Sequence, residues 1–544
     1  MFPKILFIFI CLISLITTAE QIEARIKVDA QDNWEIVYNN FSETEHYVAR
    51  ALYTNSSMEN GWDKLSISTN PIFKDEIQAE GAGRLEAALT LEKIYYFHLN
   101  VKELAPLNKN ISQFFEDQEK FVMDSVEKGE GSQDPMLYNA YLIKLQYNAM
   151  IDQYNELAEE DKKLSKDEFH QMNYIADMYD VAQKFKVETE GEVDYTKLDD
   201  DEIFNIFTER THCSALFKLK NDLSDIYFGH NTWDSINLTI RIIKEYNFNF
   251  NNRWVRSKNI IFSSYPATLS SLDDFYISSH GLISIETTNV LYNDSLYSLI
   301  NPNSLFAADR AMICNRISNS SKEWAENYIK YNSGTYNNQF MILDKNKVNL
   351  VNKSIDLDAF YIAETFPGIG KVNNVTDVLK FGFWSSYNIP YDKELYGMSG
   401  IKEVIEKNPE RASLLDYDIS ARAKIFRRDH HTTDSFEGFK KFIRYNKYRT
   451  DPFSEGNPSL AISSRADLNG SCSNAYDAKV GVLSELIDKK IKIHLIGGPM
   501  YDDEAGIKPF EWATAPKKCS DLPHYLTPEK YTFDWIEFEN EFDF

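Results

Sequence analysis

The segment from residue 213 to 228 constrains this 544-residue chain more than any other. Cys213-Ser214-Ala215-Leu216-Phe217-Lys218-Leu219-Lys220 alternates so that Ala215, Phe217 and Leu219 share one face, Asn221-Asp222 is a turn dipeptide, and Ile226-Tyr227-Phe228 resumes the apolar run. This pattern predicts a β-hairpin. A turn centred on Asn221-Asp222 pairs Cys213 with His230, setting a thiol beside an imidazole at one end of two strands. That spacing suits a nucleophile and its base, and equally a core cysteine beside a packed histidine.

Immediately upstream the chain turns acidic and weakly apolar, through Glu188-Thr189-Glu190-Gly191-Glu192-Val193-Asp194 and Asp199-Asp200-Asp201-Glu202. Such a stretch reads as an exposed connector over residues 186–212. A cut just before Cys213 leaves a thiol and a free α-amine on one residue. With a reference pKa of about 7.7–8.0, that amine can serve as general base toward its own thiol, and no cofactor is called for.

The part before the connector reads as helical. Ile143, Tyr147, Met150, Ile151, Tyr154 and Ala158 recur at three- and four-residue steps over 141–158, and 87–97 is a second helical stretch. Beyond the connector, β-branched and aromatic runs at 214–228, 259–263, 275–291 and 491–496 read as strands. The fold class expected is α+β, with no internal repeat.

Residues 1–19 combine Lys4, an apolar run from Ile5 to Ile16 and the small residues Thr17-Thr18-Ala19, the pattern of a secretory signal peptide. No later window approaches the ~20 unbroken apolar residues of a spanning helix. The expected location is outside the cell or in a lysosomal or phagosomal lumen. The sequons at Asn40, Asn55, Asn110, Asn237, Asn293, Asn319, Asn352, Asn374 and Asn469 are glycosylation candidates consistent with that route.

With 58 basic against 83 acidic residues the net charge is −25, which opposes a nucleic-acid partner and anionic bilayers at neutral pH. The same charge is eased in an acidic compartment as carboxylates protonate. Beyond the signal segment four cysteines remain, too few for a disulfide scaffold. If Cys213 is a free thiol, at most one bond forms among the rest; we pair Cys472 with Cys519 and leave Cys314 as a buried apolar thiol.

Longer motifs carry a family resemblance. His212-Cys213-Ser214-Ala215-Leu216 followed by His230-Asn231-Thr232-Trp233 resembles the phospholipase B-like (lamina ancestor) family. The likeness continues in order through Phe262-Ser263-Ser264-Tyr265-Pro266, Leu269-Ser270-Ser271-Leu272-Asp273-Asp274-Phe275-Tyr276, Glu286-Thr287-Thr288-Asn289, Asn332-Ser333-Gly334-Thr335-Tyr336, Ser386-Tyr387-Asn388-Ile389-Pro390, Arg422-Ala423-Lys424-Ile425-Phe426-Arg427-Arg428-Asp429 and Ser463-Ser464-Arg465-Ala466-Asp467-Leu468-Asn469. It covers about 213–535 strongly and 81–96 more faintly. One departure is local: where the family has a longer loop with a close cysteine pair, this chain carries the short Phe453-Ser454-Glu455-Gly456-Asn457-Pro458.

The resemblance implies an N-terminal nucleophile hydrolase, an αββα four-layer sandwich of two antiparallel sheets flanked by helices. It further implies self-cleavage at His212-Cys213, with 20–212 and 213–544 as two fragments of one unit. The family name implies deacylation of phospholipids or related acyl esters or amides, and a homodimer is left open. An amidase or peptidase on small acyl-amides, and a catalytically silent lumenal binding glycoprotein, are the alternatives.

In the matching motifs Asn388 is the expected oxyanion donor, with His230 or Asn231 second. Arg465 either holds the thiolate or a substrate phosphate, with Asp467 orienting the α-ammonium, or the two form a structural ion pair. Trp233 is expected in the acyl pocket or the core.

Other chemistries lack their signatures. Asp429-His430-His431 has no His-Glu-x-x-His or Cys-x-x-Cys beside it, so no metal site is expected there. A Gly-x-Ser-x-Gly elbow, a Walker glycine loop and the Cys-Gly-x-Cys-Trp context of papain-like proteases are all missing from the chain.

Overall fold

The computed structural model describes residues 21–542 apart from 40, 42–45, 105–106, 130, 211–212 and 487–489. The signal-peptide assignment, the Asn40 sequon and His212 lie outside the described residues. Two large sheets dominate. One has eleven strands, in the spatial order Ile369–Asn374, Phe360–Phe366, Asn338–Asp344, Leu282–Thr288, Phe275–Ser278, Asn259–Ser264, Ile242–Asn247, Asp63–Thr69, Ala49–Thr54, Gln21–Val28 and Trp34–Tyr38. The other has six: Phe383–Ser386, Ser214–Leu219, Ile226–Asn231, Asp477–Val482, Lys492–Gly497 and Ile536–Glu539.

Three buried apolar layers arrange these sheets into the expected four-layer α+β sandwich. Ala215, Phe217, Leu219, Ile226 and Phe228 of the smaller sheet pack against Ile243, Ile261, Ile283, Ile285 and Met341 of the larger. The opposite face of the larger sheet is covered by helices, among them Asp75–Leu89 and Pro135–Leu157. Leu216, Tyr227, Ala478 and Val480, on the outer face of the smaller sheet, meet Ile425, Phe426, Phe439 and Phe442 of the helices Ala421–Asp429 and Phe436–Ile443. The face that alternation assigned to Ala215, Phe217 and Leu219 is thus the one sandwiched between the sheets.

The hairpin register differs from the predicted one. Ala215 pairs with His230 and Ser214 with Asn231, a shift of two residues. The connection is longer than a dipeptide: Lys220 N donates to Asp225 O, Leu223 N donates to Lys220 O, and Leu223 takes the left-handed φ of 59°. Because side chains alternate with period two, a two-residue slip keeps every side chain on its face, so His230 becomes the diagonal rather than the direct neighbour of Cys213.

Three further expectations change. The first part of the chain is not only helical: it contributes the four strands from Gln21 to Thr69, joined to the later strands through the parallel pair Asp63–Thr69 and Ile242–Asn247, the one parallel strand pair of this sheet among the described residues. The stretch 87–97 breaks at Thr90 into helices Asp75–Leu89 and Leu91–Val101. The acidic connector is also less open than its composition predicts. Residues 200–210 are helical, Tyr195, Ile203 and Phe207 enter the outer apolar layer, and the Tyr195 hydroxyl donates to Asp294 at 2.6 Å. One aromatic or aliphatic residue every few positions was enough to anchor it.

Asn237 is buried, its amide donating to the Asn100 carbonyl at 2.5 Å, so its sequon is not available to a glycan in the folded chain. Asn55, Asn110, Asn319, Asn352, Asn374 and Asn469 are exposed and Asn293 is half-buried. Cys472 and Cys519 form a disulfide with Cα atoms 5.2 Å apart, and Cys213 and Cys314 are free and buried.

Helix Ala307–Ile317 is capped in trans. Asp177, from helix Ile175–Glu190, accepts from Ala307 N at 3.0 Å and Ala308 N at 3.4 Å and also from the Thr335 hydroxyl. Burial pushes its pKa up to about 6, against the lowering effect of those donors and of Arg310, while Asp309 adds to the rise. The folded chain therefore takes up a proton between about pH 6 and 4 that the unfolded chain, with a carboxyl near 3.9, does not, and stability rises as pH falls through that window, by up to ~3 kcal/mol. The thermal midpoint should climb more steeply between pH 7 and 5 in the wild type than in Asp177→Asn; equal slopes would reject this assignment.

Candidate active site

The site lies at one end of the sandwich. Strands Ser214–Leu219 and Asn338–Asp344 begin there, and Ile226–Asn231, Leu282–Thr288 and Phe383–Ser386 end there. Loops leaving these strands surround a cleft of about 1190 Å³, lined among others by Cys213, Trp233, Tyr265, Leu272, Thr288 and Tyr336.

Backbone strain concentrates at this end. Cys213, Asp274, Tyr336 and Asn388 all have positive φ, at 87°, 38°, 47° and 74°. Non-glycine residues held there cost of order 1–3 kcal/mol each and persist only where surrounding contacts over-determine them. At Cys213 the contacts are explicit. Its carbonyl accepts from Arg422 Nη1 at 2.8 Å, and the next amide, Ser214 N, donates to Asn231 Oδ1 at 3.2 Å.

Arg422 is the organising group to which the sequence alone assigned no role, although it opens one of the family motifs. Its guanidinium donates to the Cys213 carbonyl, to Ser214 Oγ at 3.2 Å, to the Tyr387 carbonyl at 2.8 Å and to Asn388 Oδ1 at 2.7 Å. It stacks 4.4 Å from the centroid of the Trp233 ring. Among the described residues no carboxylate pairs with it, and burial brings its pKa down to about 9. A desolvated positive charge solvated by neutral oxygens is poised to receive developing negative charge.

The expected donors divide sharply. Asn388 is buried, its Oδ1 fixed by Arg422 and its Nδ2 donating to the Thr288 carbonyl at 2.7 Å. Asn231 is fully used: both Nδ2 hydrogens go to main-chain carbonyls, of Ile443 at 2.6 Å and Ile462 at 2.9 Å, while Oδ1 accepts from Ser214 N and Trp233 Nε1. With both hydrogens spent in the whole chain, Asn231 ties Ser214 and Trp233 to the main chain at Ile443 and Ile462. Trp233 lines the cleft.

Arg465 and Asp467 are brought together as an ion pair. Nε and Nη2 of Arg465 each reach the carboxylate at 2.8 Å, and Nη1 donates to the carbonyls of Met500 and Lys508. Four of its five donors are thereby committed. The pair is a structural clamp, and neither residue meets Cys213.

Below Cys213 lies a buried network. Asp273 accepts from Arg241 at 2.7 Å, Lys479 at 2.5 Å, Thr232 Oγ1 at 3.0 Å and Ser263 Oγ at 2.8 Å, and Asp477 pairs with the same Arg241 and Lys479 at 3.0 Å. Burial alone would raise the Asp273 carboxyl, but the two cations hold it well below the usual range. His230 is driven far down by burial and then by Lys479, so the ring is neutral; neither ring nitrogen has a hydrogen-bond partner, its approach to the Glu286 main chain falling short of one.

Glu286 is pushed the other way, well above the usual carboxylate range, first by burial and then by Asp274. Geometry agrees. The Tyr336 hydroxyl touches both Glu286 Oε1, at 2.7 Å, and the Leu272 carbonyl, yet it has one proton to give. Donation to Leu272 requires the Glu286 carboxyl to supply the second hydrogen. Burial, then Glu286, lifts the Cys213 thiol far above its ordinary value, so in the whole chain it is neutral. His430, the other histidine motif, stacks on Phe383 with centroids 4.1 Å apart.

Known proteins match this chain along nearly its whole length. The family model for phospholipase B matches residues 49–538. "Phospholipase B-like protein B" of Dictyostelium discoideum is 35% identical over 94% of this chain and 89% of its own length. "Phospholipase B-like 1" of Rattus norvegicus is 34% identical over 90% of this chain and 87% of its own, and "Phospholipase B" of Crotalus adamanteus 34% over 90% and 88%. With a match of this length, the chain belongs to the phospholipase B family.

Proposed function

We propose that this protein is a secreted or lysosomal acyl hydrolase that cleaves itself before Cys213 and then uses the Cys213 thiol to deacylate phospholipids or related acyl esters. The observation that carries the reading is the strained Cys213 on the wall of a large cleft, its carbonyl gripped by Arg422. The names of the relatives favour a phospholipid substrate, and the aromatic and aliphatic lining from Trp233, Tyr265, Leu272 and Tyr336 suits an acyl chain. An amidase acting on acyl-amides would use the same groups.

Cleavage converts the main-chain nitrogen of Cys213 into an amine, the base that the buried neutral thiol lacks. The thiol attacks the acyl carbonyl as its proton passes to the amine; the tetrahedral intermediate expels the alcohol, which takes that proton from the ammonium, and water then hydrolyses the thioester to release the acid and restore the thiol. The tetrahedral oxyanion is met by Asn388, which Arg422 orients through Oδ1. Arg422 acts as a positioning residue.

N-terminal sequencing after incubation at acidic pH should return Cys213 as a new first residue. Cys213→Ala should remain one chain and lose hydrolysis by ~10³-fold or more, whereas Cys213→Ser should cleave slowly. An intact alanine variant with full activity would sink the mechanism. Arg422→Lys keeps a charge but loses the fork. It should lower kcat by ~10–100-fold with KM changed less than about twofold, while a drop in thermal stability at unchanged kcat would make Arg422 merely structural.

A further inference from the structure

One buried cluster joins three metal-ligating side chains that the fold leaves largely unused. The Cys213 Sγ, a His230 ring nitrogen and a Glu286 carboxylate oxygen all lie within 4.8 Å of one another. Cys213 is 1% exposed and the other two are fully buried. Both His230 nitrogens and Glu286 Oε2 lack hydrogen-bond partners. Buried polar atoms are nearly always satisfied, so an orphaned imidazole and an orphaned carboxyl oxygen beside a thiol require an explanation.

We propose that Cys213, His230 and Glu286 form a Zn²⁺ site and that occupancy switches the hydrolase off. Binding stands on the donor set alone; the inhibition rests on the reading of Cys213 as nucleophile. A thiolate, an imidazole and a carboxylate are the three ligand types that Zn²⁺ accepts, and a sulfur in the set favours it over the hard cations. Tetrahedral coordination with bonds of ~2.0–2.3 Å places ligand atoms roughly 3.3–3.8 Å apart, so a set already within 4.8 Å has at most about 1–1.5 Å to close. The fourth position is left for water. After cleavage the Cys213 amine can take it, closing a five-membered chelate with its own thiolate.

Nearby cations do not exclude the ion: Arg422, the one without a carboxylate among the described residues, holds the Cys213 carbonyl rather than its sulfur. Lys479 and Arg241 are each matched against both Asp273 and Asp477, so that network carries no net charge toward the site. Tyr336 keeps Glu286 Oε1, leaving Oε2 as the donor. As the site closes on the metal, the Cys213 thiol and the Glu286 carboxyl each release a proton to solvent, and the sulfur lone pair that would attack an acyl carbon is donated to the metal. Inhibition is therefore reversible by a chelator.

The test uses the full chain, stripped of metal, with Co²⁺ as spectroscopic probe and Zn²⁺ affinity read by competition with a chromophoric chelator. One equivalent of Co²⁺ should produce a near-ultraviolet thiolate-to-cobalt charge-transfer band that Zn²⁺ abolishes. Glu286→Gln and His230→Gln, each checked for folding by circular dichroism, should weaken Zn²⁺ by about tenfold or more. A His430→Gln/His431→Gln control should bind as the wild type does. Absence of the band, or unchanged affinity in a folded Glu286→Gln, would overturn the site. If the band appears but Cys213→Ala still hydrolyses substrate, the nucleophile reading fails and the metal site stands. An inactive Cys213→Ala with no band in the wild type removes the metal site and leaves the nucleophile in place.

Discussion

The pairing of Asp273 and Asp477 with Arg241 and Lys479 is the constraint on which the rest of this structure depends. Asp273 and Arg241 precede strands of the larger sheet, whereas Asp477 and Lys479 belong to the smaller. The network therefore bolts the two sheets together at one end, in a place where apolar packing elsewhere does the same work. Desolvating four charges is costly, and an apolar replacement of similar volume would often be as stable. Removing a single member is different, because an uncompensated buried charge typically costs about 3–5 kcal/mol. Stability alone does not explain why ions occupy this position. Their location beneath Cys213 matters in another way, since Lys479 adds to burial in holding His230 neutral.

Two electrostatic environments meet at the thiol. On the network side, burial and Lys479 keep His230 neutral. On the other side, Glu286 and Asp274 crowd each other, and the Tyr336 hydroxyl, shared between Glu286 and the Leu272 carbonyl, fits a protonated carboxyl. Above both, Arg422 holds the Cys213 carbonyl and Asn388 without a counter-ion among the described residues. Cys213 thus sits between a neutral histidine and a carboxyl raised out of its usual range, with Arg422 as the cation that no described carboxylate pairs with.

Much of this was legible in the chain. Period-two alternation gave the buried face of the hairpin, three- and four-residue steps gave the helix around Tyr147, and ordered motifs gave the family and its layered fold. The Cys213–His230 neighbourhood was legible too, although the register was not: a longer turn moves the pairing by two residues, and period two forgives that error. The acidic connector is exposed along most of its described length, as its composition indicates, and composition averages over the few residues, Tyr195, Ile203 and Phe207, that anchor it. Arg422 and Glu286 stood in family motifs without roles. A lone arginine or glutamate carries no sign in sequence of whether water or carbonyls will surround it.

By itself, then, the sequence determined the local periodicities, the candidate nucleophile and the family, since each rests on neighbours along the chain or on motifs in order. Only the tertiary structure decided the partners. Arg465 and Asp467 closed on each other, Asn231 spent both amide hydrogens on distant carbonyls, and Arg422 arrived at Cys213 from 209 residues away. Hydrogen bonds are saturable and directional, so a residue's chemical role is fixed by which few groups reach it first, and that is settled when the sheets stack.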